Sequence, residues 1–258
     1  MSDSIPRSHP RYRSLVTREK LAAAARSGLV AWEGLIAHGR GEAFDYLLGE
    51  QTSPEAAVAA RAAAAYLVRA ERPVLSVNGN VAVLAADEIG ALAKATGARV
   101  EVNVFHRTEE RVGDLVAFLE ERGVREVLGE KPDASLPGLE HPRALSSSEG
   151  IYRADVVLVP LEDGDRAEAL VGMNKAVLSI DLNPLSRTNQ VATVAIVDEV
   201  VRALENMAAF ARDAKGLEAV EAALAAYEKR ANLQGVLEVI RRNLEAQTRE
   251  QGEEGDNV

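Results

Sequence analysis

The chain has 258 residues, of which 47% are hydrophobic, 27% charged and 4% aromatic, and its formal net charge is −10. These proportions describe a globular protein with a substantial core built on Ala, Val, Leu and Ile, and they count against general nucleic-acid binding, which needs surface cations to neutralise phosphates. The absence of cysteine removes disulfides, thiolate nucleophiles and cysteine-ligated metals. Four scattered histidines with no His-x-x-x-His pair argue against a structural transition-metal site. No apolar run reaches the length of a membrane span and the polar N-terminus has no signal-peptide core, so no membrane association and a cytoplasmic location are expected.

Charge is unevenly placed. Between Ile5 and Arg40 lie seven cations (Arg7, Arg11, Arg13, Arg18, Lys20, Arg26 and Arg40) against Glu19 and Glu33. A basic segment on an acidic body reads either as a local anion site or as an arm that pairs with acidic surface. Met1 to Arg13 reads as extended, with Ile5-Pro6 and His9-Pro10 opposing helix. Thr17 reads as an N-cap for a helix over 18–26 that ends near Gly28. A second helix begins around Ala31. His38-Gly39-Arg40-Gly41 then reads either as an anion cradle, where glycine lets backbone N–H groups approach a ligand, or as a plain turn between helices.

Ser53-Pro54 starts an Ala-rich helix reaching about Ala70. Pro73–Val77 is the first strand, and Asn78-Gly79-Asn80 is a bend into a helical segment, with 87–96 helical and with backbone donors and Asn side chains facing a ligand. The bend has neither a Walker A ending nor the spaced glycines of the dinucleotide fingerprint. A strand over 99–105 leads to His106-Arg107-Thr108, where Thr108 caps a helix over 109–122. Val124–Leu128 reads as a short further strand, and 129–150 as a long loop, either a flap over the site or an irregular crossover.

The strand 155–159 exits into Pro160-Leu161-Glu162-Asp163-Gly164-Asp165-Arg166. Its three carboxylates suit either Mg²⁺ or the dipole of the following helix, 167–172. The run Lys175–Ile180 leads into Asp181-Leu182-Asn183-Pro184-Leu185-Ser186-Arg187-Thr188, a shaped polar loop because Pro184 holds Asn183 out of helix. A last strand, 193–197, meets Asp198-Glu199 at the start of a helix running to about Ala214. From Gly216 onward two apolar stripes need a partner, either the body or a second subunit. The repeated strand-then-helix order predicts an α/β fold with a mostly parallel sheet and helices on both faces, a helical N-terminal segment and a helical C-terminal tail. We expect one domain over 1–258. Within it, 1–52 packs on the site, 53–214 forms the core, 215–250 is helical and 251–258 is disordered. Five polar strand exits then share one edge, where small molecules bind in open parallel sheets.

Five strings carry a resemblance: Ile5-Pro-Arg-Ser-His-Pro-Arg-Tyr12, Gly34–Tyr46, Ser76-Val-Asn-Gly-Asn80, Ala154–Asp165 and Asp181–Arg187. They closely resemble the archaeal 4-phosphopantoate–β-alanine ligases, also called phosphopantothenate synthetases, over about Ile5 to Ala211. The resemblance implies a Rossmann-like homodimer acting in coenzyme A biosynthesis. It would use ATP, with Mg²⁺ inferred from the nucleotide chemistry and given no ligand set, to join 4-phosphopantoate to β-alanine through an acyl-adenylate, releasing AMP and diphosphate. The family's nucleotide contacts would fall on Arg18, Arg40, Asp181, Leu182, Asn183, Arg187, Thr188 and the pair Asp198-Glu199. Relatives carry Asn in place of Glu199, which leaves a backbone contact there. His38 and Arg40 are the expected catalytic pair, offsetting charge as the adenylate forms. His9 or Arg11 is expected to hold the substrate phosphate, and Asn78 and Asn80 to face the ligand. The competing readings are an ADP-forming phosphotransferase on the same site and a non-catalytic nucleotide-binding dimeric module.

Overall fold

The computed structural model describes residues 5–9, 11–214 and 216–255. Five parallel strands form its sheet in the order β2-β1-β5-β6-β7. They are β1 (Pro73–Val77), β2 (Arg99–Val102), β5 (Val156–Pro160), β6 (Ala176–Ile180) and β7 (Val194–Ile196). A two-residue antiparallel ladder of β3 (Ala134–Ser135) and β4 (Leu145–Ser146) stands apart. The expected α/β architecture is present, and the main sheet is parallel throughout. Because alternate strand residues point to opposite faces, each strand feeds two layers. Leu75, Val77, Leu158 and Leu178 pack with α3 (Pro54–Arg69), α4 (Gly79–Thr96), α5 (Glu109–Glu120) and α8 (Val200–Asp213). Val74, Val157, Val159 and Val177 pack instead with α6 (Gly164–Gly172), Ile151 and Ala192.

The basic N-terminal segment folds as α1 (Tyr12–Arg26) and α2 (Trp32–Leu48). The chain ends in α9 (Leu217–Ala225) and α10 (Lys229–Gly255), with α7 (Arg187–Val191) a single turn after β6. α1 lays Leu21, Ala24 and Ala25 on α4, while Leu48 of α2 joins Leu182, Ala195, Leu233 and Val236 beside β7. The apolar stripe of α10 is therefore covered in part by the body of the domain. Ser53 caps α3 as expected, its side chain accepting the Ala56 N–H at 3.1 Å. Ser53→Ala is expected to cost about 1 kcal/mol, read as a fall of about 2–4 °C in Tm.

Several local expectations give way to tertiary packing. α1 begins at Tyr12, so Thr17 lies inside the helix and Arg11 takes the N-cap position. α2 runs without a break through His38-Gly39-Arg40-Gly41, so the expected cradle is a helix face. Glycine is tolerated there at about 1 kcal/mol per residue because the helix is held from outside. A Cβ at Gly34 would lie 2.5 Å from Asn80 Oδ1, which shows how closely α2 approaches the start of α4. α4 begins already at Gly79, with a kink at Ala85. β2 stops at Val102, short of Phe105. Of Val124–Leu128 only Leu128 pairs with the sheet, by a bridge to Glu101; Glu126, at φ 52°, breaks the extended run. Disorder expected over 251–258 meets a helix that continues to Gly255, and 256–258 lies outside the described residues.

Candidate active site

The chain direction through the sheet reverses between β1 and β5, and the crevice at the carboxyl ends of such neighbours is where open α/β sheets bind ligands. The two ends are stapled together. Asn78 leaves β1, accepts the Val81 N–H through Oδ1 to cap α4, and donates from Nδ2 to the carbonyls of Pro160 and Leu161 at 3.1 and 3.0 Å. Leu161 sits at φ 52°, a backbone region that bulky side chains avoid, and such strain gathers at functional sites. Over this crevice lies a cavity of about 560 Å³, within the range of small-molecule sites. Its wall comes from α2 (Gly34, His38, Arg40, Gly41), the Asn78–Asn80 bend, the Phe105-His106 exit, Arg143, the Leu161–Asp163 exit and the Asp181–Asn183 loop.

The loop after β6 is shaped by side chains. Asp181 Oδ1 accepts the Asn183 N–H at 2.9 Å, and Asn183 Oδ1 accepts the Leu185 N–H at 2.9 Å. Asn189 donates to the carbonyls of Asp181 and Asn183 and accepts from Ser179 Oγ at 2.7 Å. Burial raises the pKa of Asp181, against the opposing pull of its own hydrogen bonds and the nearby Arg40 charge. Arg40 itself is exposed, and no hydrogen bond or ion pair engages its guanidinium among the described residues.

The cavity wall also holds an ionic network. Arg143 donates through Nη2 to Glu162 at 2.8 Å, through Nη1 to Asp163 at 2.9 Å and through Nε to Asn103 Oδ1 at 3.1 Å. Glu162 also pairs with Arg166, which is fully buried and reaches Ser76 Oγ at 3.2 Å. Burial lowers the pKa of Arg166, and its Nε and Nη2 have no protein partner. Asn103 donates to the carbonyls of both Arg143 and Leu145, fixing the path of the chain there. The 129–150 segment is thus an irregular crossover that places an arginine in the cavity wall.

The structure gathers His38, Arg40, Asn78, Asn80, Asp181, Leu182 and Asn183 at the cavity. The other sequence-derived candidates lie outside its lining. Arg18 pairs with Glu42 at 3.0 Å and reaches Tyr46 Oη, which Arg11 also contacts at 2.9 Å; the Nδ1 of His9 accepts the Arg11 N–H. Arg187 pairs with Glu168 at the surface, and Thr188 Oγ1 donates to the Glu162 carbonyl at 2.8 Å. Asp198 accepts from Thr52 Oγ1 at 2.7 Å and pairs with Arg202, while the Glu199 carboxylate caps α8. Sequence reading did not single out Arg143, Asn189 or Arg111, the last of which also lines the cavity. Arg143 lies in a stretch without periodicity, and nothing local marks its partnership with Asn103, 40 residues away.

His38 enters the site uncharged. Burial holds its pKa below the usual 6.5, with attraction to Glu42 only partly opposing, and its Nε2 is buried without a partner. The positive charge at this end of the cavity therefore falls to Arg40. An unfolded chain takes up a proton near pH 6.5 that folded His38 resists, so stability is full above that pH and declines as pH falls through it. Between pH 7.5 and 5.5 the Tm of the wild type is expected to fall more steeply than that of His38→Gln, as calorimetry at stepped pH can measure.

No protein-built cation site forms from the carboxylates after β5. Glu162 is held by Arg143 and Arg166, Asp163 by Arg143, and Asp165 accepts from His141 at 2.9 Å. No group of three potential metal ligands occurs among the described residues. The dipole reading fits Asp163, at the N-cap position of α6, and also Asp165 in its first turn. No described helix is long and apolar enough to cross a membrane.

A family model described as phosphopantothenate/pantothenate synthetase matches residues 55–243. A protein of Methanosarcina mazei named 4-phosphopantoate--beta-alanine ligase is 53% identical over 250 residues, covering 96% of this chain and 98% of its own. Proteins of the same name from Methanospirillum hungatei and Thermococcus kodakarensis are 59% and 54% identical, covering 80% and 82% of this chain and 84% and 82% of theirs. α2, with His38 and Arg40, precedes the matched 55–243 region but falls within the length shared with the Methanosarcina protein, since only 4% of this chain is left uncovered there. The cavity at the β1–β5 crevice is thus the candidate active site of an enzyme, and the chain belongs to the phosphopantothenate/pantothenate synthetase family of ligases.

Proposed function

We propose that this enzyme joins 4-phosphopantoate to β-alanine in coenzyme A biosynthesis, in the cytoplasm, using ATP and forming AMP and diphosphate. The observation that carries the reading is the similarity to the Methanosarcina ligase along nearly the whole length of both chains. The cavity supports it physically. The pantoate carboxylate must approach the α-phosphorus of ATP, so repulsion between anions is the chief obstacle, and Arg40 and Arg143 stand in the wall to offset it. A carboxylate oxygen bonds to the α-phosphorus as the bond to diphosphate breaks. The amine of β-alanine then attacks the acyl carbon, AMP leaves, and the amine proton passes to solvent. Asp181–Asn183 would take the adenosine part and α2 the phosphates. Any Mg²⁺ would arrive on those phosphates, since no group of three potential metal ligands occurs among the described residues, and no step is assigned to it. By the same reading the enzyme is a homodimer.

The test is AMP release from ATP with each co-substrate omitted in turn. Release that requires both 4-phosphopantoate and β-alanine supports the ligase. ADP in place of AMP identifies a phosphotransferase, and ATP binding without turnover identifies a binding module.

A further inference from the structure

Arg143 and its two carboxylate partners differ in one respect that bears on how the site receives a ligand. Arg143 has a single position available: it is 5% exposed, its Nε is bonded to Asn103, and its carbonyl is held by the same side chain. Glu162 is equally fixed, with a side chain 1% exposed and shared with Arg166. Asp163 is not fixed. Its side chain is 48% exposed and, among the described residues, its only ion pair is the one with Arg143. It also occupies the N-cap position of α6 without making a cap hydrogen bond. Aspartate is among the residues that cap best there, so its side chain forgoes one satisfactory position to occupy another.

We propose that Asp163 is an internal stand-in for a phosphoryl group: it occupies Arg143 in the ligand-free site and is displaced when a phosphorylated substrate binds there. A phosphoryl group offers a guanidinium a paired, charge-assisted contact. Its charge repels the Asp163 carboxylate, which can turn to the N–H groups of Gly164 and Asp165 in the first turn of α6, since the Arg166 N–H is already bonded to Asp165 Oδ1. Glu162 stays in place and keeps Arg143 aimed into the cavity. The inference rests on the reading of the cavity as a site for phosphorylated substrates, and it leaves open whether the group belongs to the acid or to the nucleotide.

The experiment is steady-state kinetics on Asp163→Ala and Asp163→Asn, with Arg143→Lys in parallel and each variant checked for an intact fold by circular dichroism. Removing an internal competitor of this exposure is expected to lower the KM for one phosphorylated substrate about two- to fivefold. Arg143→Lys is expected to raise the same KM roughly tenfold or more. A shift confined to 4-phosphopantoate assigns the subsite to the acid, and one confined to ATP assigns it to the nucleotide. A KM for both substrates that is unchanged or raised in the two Asp163 variants overturns the proposal, because a structural carboxylate predicts that outcome. If the wild type releases no AMP, the functional reading has failed. The exchange is then read by calorimetric titration with ATP and with inorganic phosphate: tighter binding of either to Asp163→Ala supports it, and equal or weaker binding of both overturns it.

Discussion

Glu162→Ala is expected to destabilise the protein by roughly 3–5 kcal/mol, the range for breaking a buried ion pair by removing one partner. At this chain length that corresponds to a Tm lowered by about 10 °C. The carboxylate lies between two guanidiniums, one 0% and the other 6% exposed. Without it, two guanidiniums face each other, one of them fully buried, and among the described residues the Arg166 guanidinium keeps only Ser76 Oγ as a polar partner. Glu162→Gln retains the shape and one acceptor, so its loss should be smaller. The exposed pairs on α10 provide the control. Arg241 and Arg242 surround Glu238, yet all three are in solvent, and exposed pairs contribute little. Glu238→Ala should therefore leave the Tm unchanged within error. Urea unfolding of the three variants decides the matter, and a Glu162→Ala protein as stable as wild type would show that the network does not hold the β5 exit.

The contrast between Glu162 and Glu238 also shows what a sequence can reveal. β1 and β5 were legible because short runs rich in Val and Leu, bounded by turn residues, have few other uses. The Ser53-Pro54 start of α3 was legible because cap and proline act within one turn. The site edge followed from these elements: if the strands are parallel, Asn78, Asn80 and Asp181–Asn183 must emerge together, and they line one cavity. What failed depended on distant partners. The glycines at 39 and 41 suggested a loop, yet α2 stays helical because α1, α4 and α10 support it, and Gly34 fits against Asn80. Arg18 and Arg187 look alike on paper, but each has a carboxylate partner that only the fold supplies. Arg143 is the converse case, an unremarked arginine made significant by Asn103 and Glu162.

Arg40→Ala is expected to lower kcat/KM for the ligase reaction by about 10²- to 10³-fold, the loss typical of removing a donor aimed at developing charge. Among the described residues its guanidinium has neither an ion pair nor a hydrogen bond, although it lines the cavity near the half-buried Asp181. A cation in that state has not spent its charge on the fold, so removing it should leave the Tm within error of wild type. The partition between kcat and KM then reports what Arg40 does. A rise in the KM for ATP with kcat unchanged would make it a ground-state phosphate contact. A fall in kcat would place its interaction in the transition state, where the proposed AMP-forming reaction moves charge onto diphosphate. Arg40→Lys keeps the charge but not the planar fork, and partial recovery by that variant would separate electrostatics from geometry. His38→Gln should cost less, because the residue it replaces is already neutral. An Arg40→Ala enzyme within threefold of wild type in kcat/KM would remove α2 from the chemistry and leave charge neutralisation to Arg143 and Arg111.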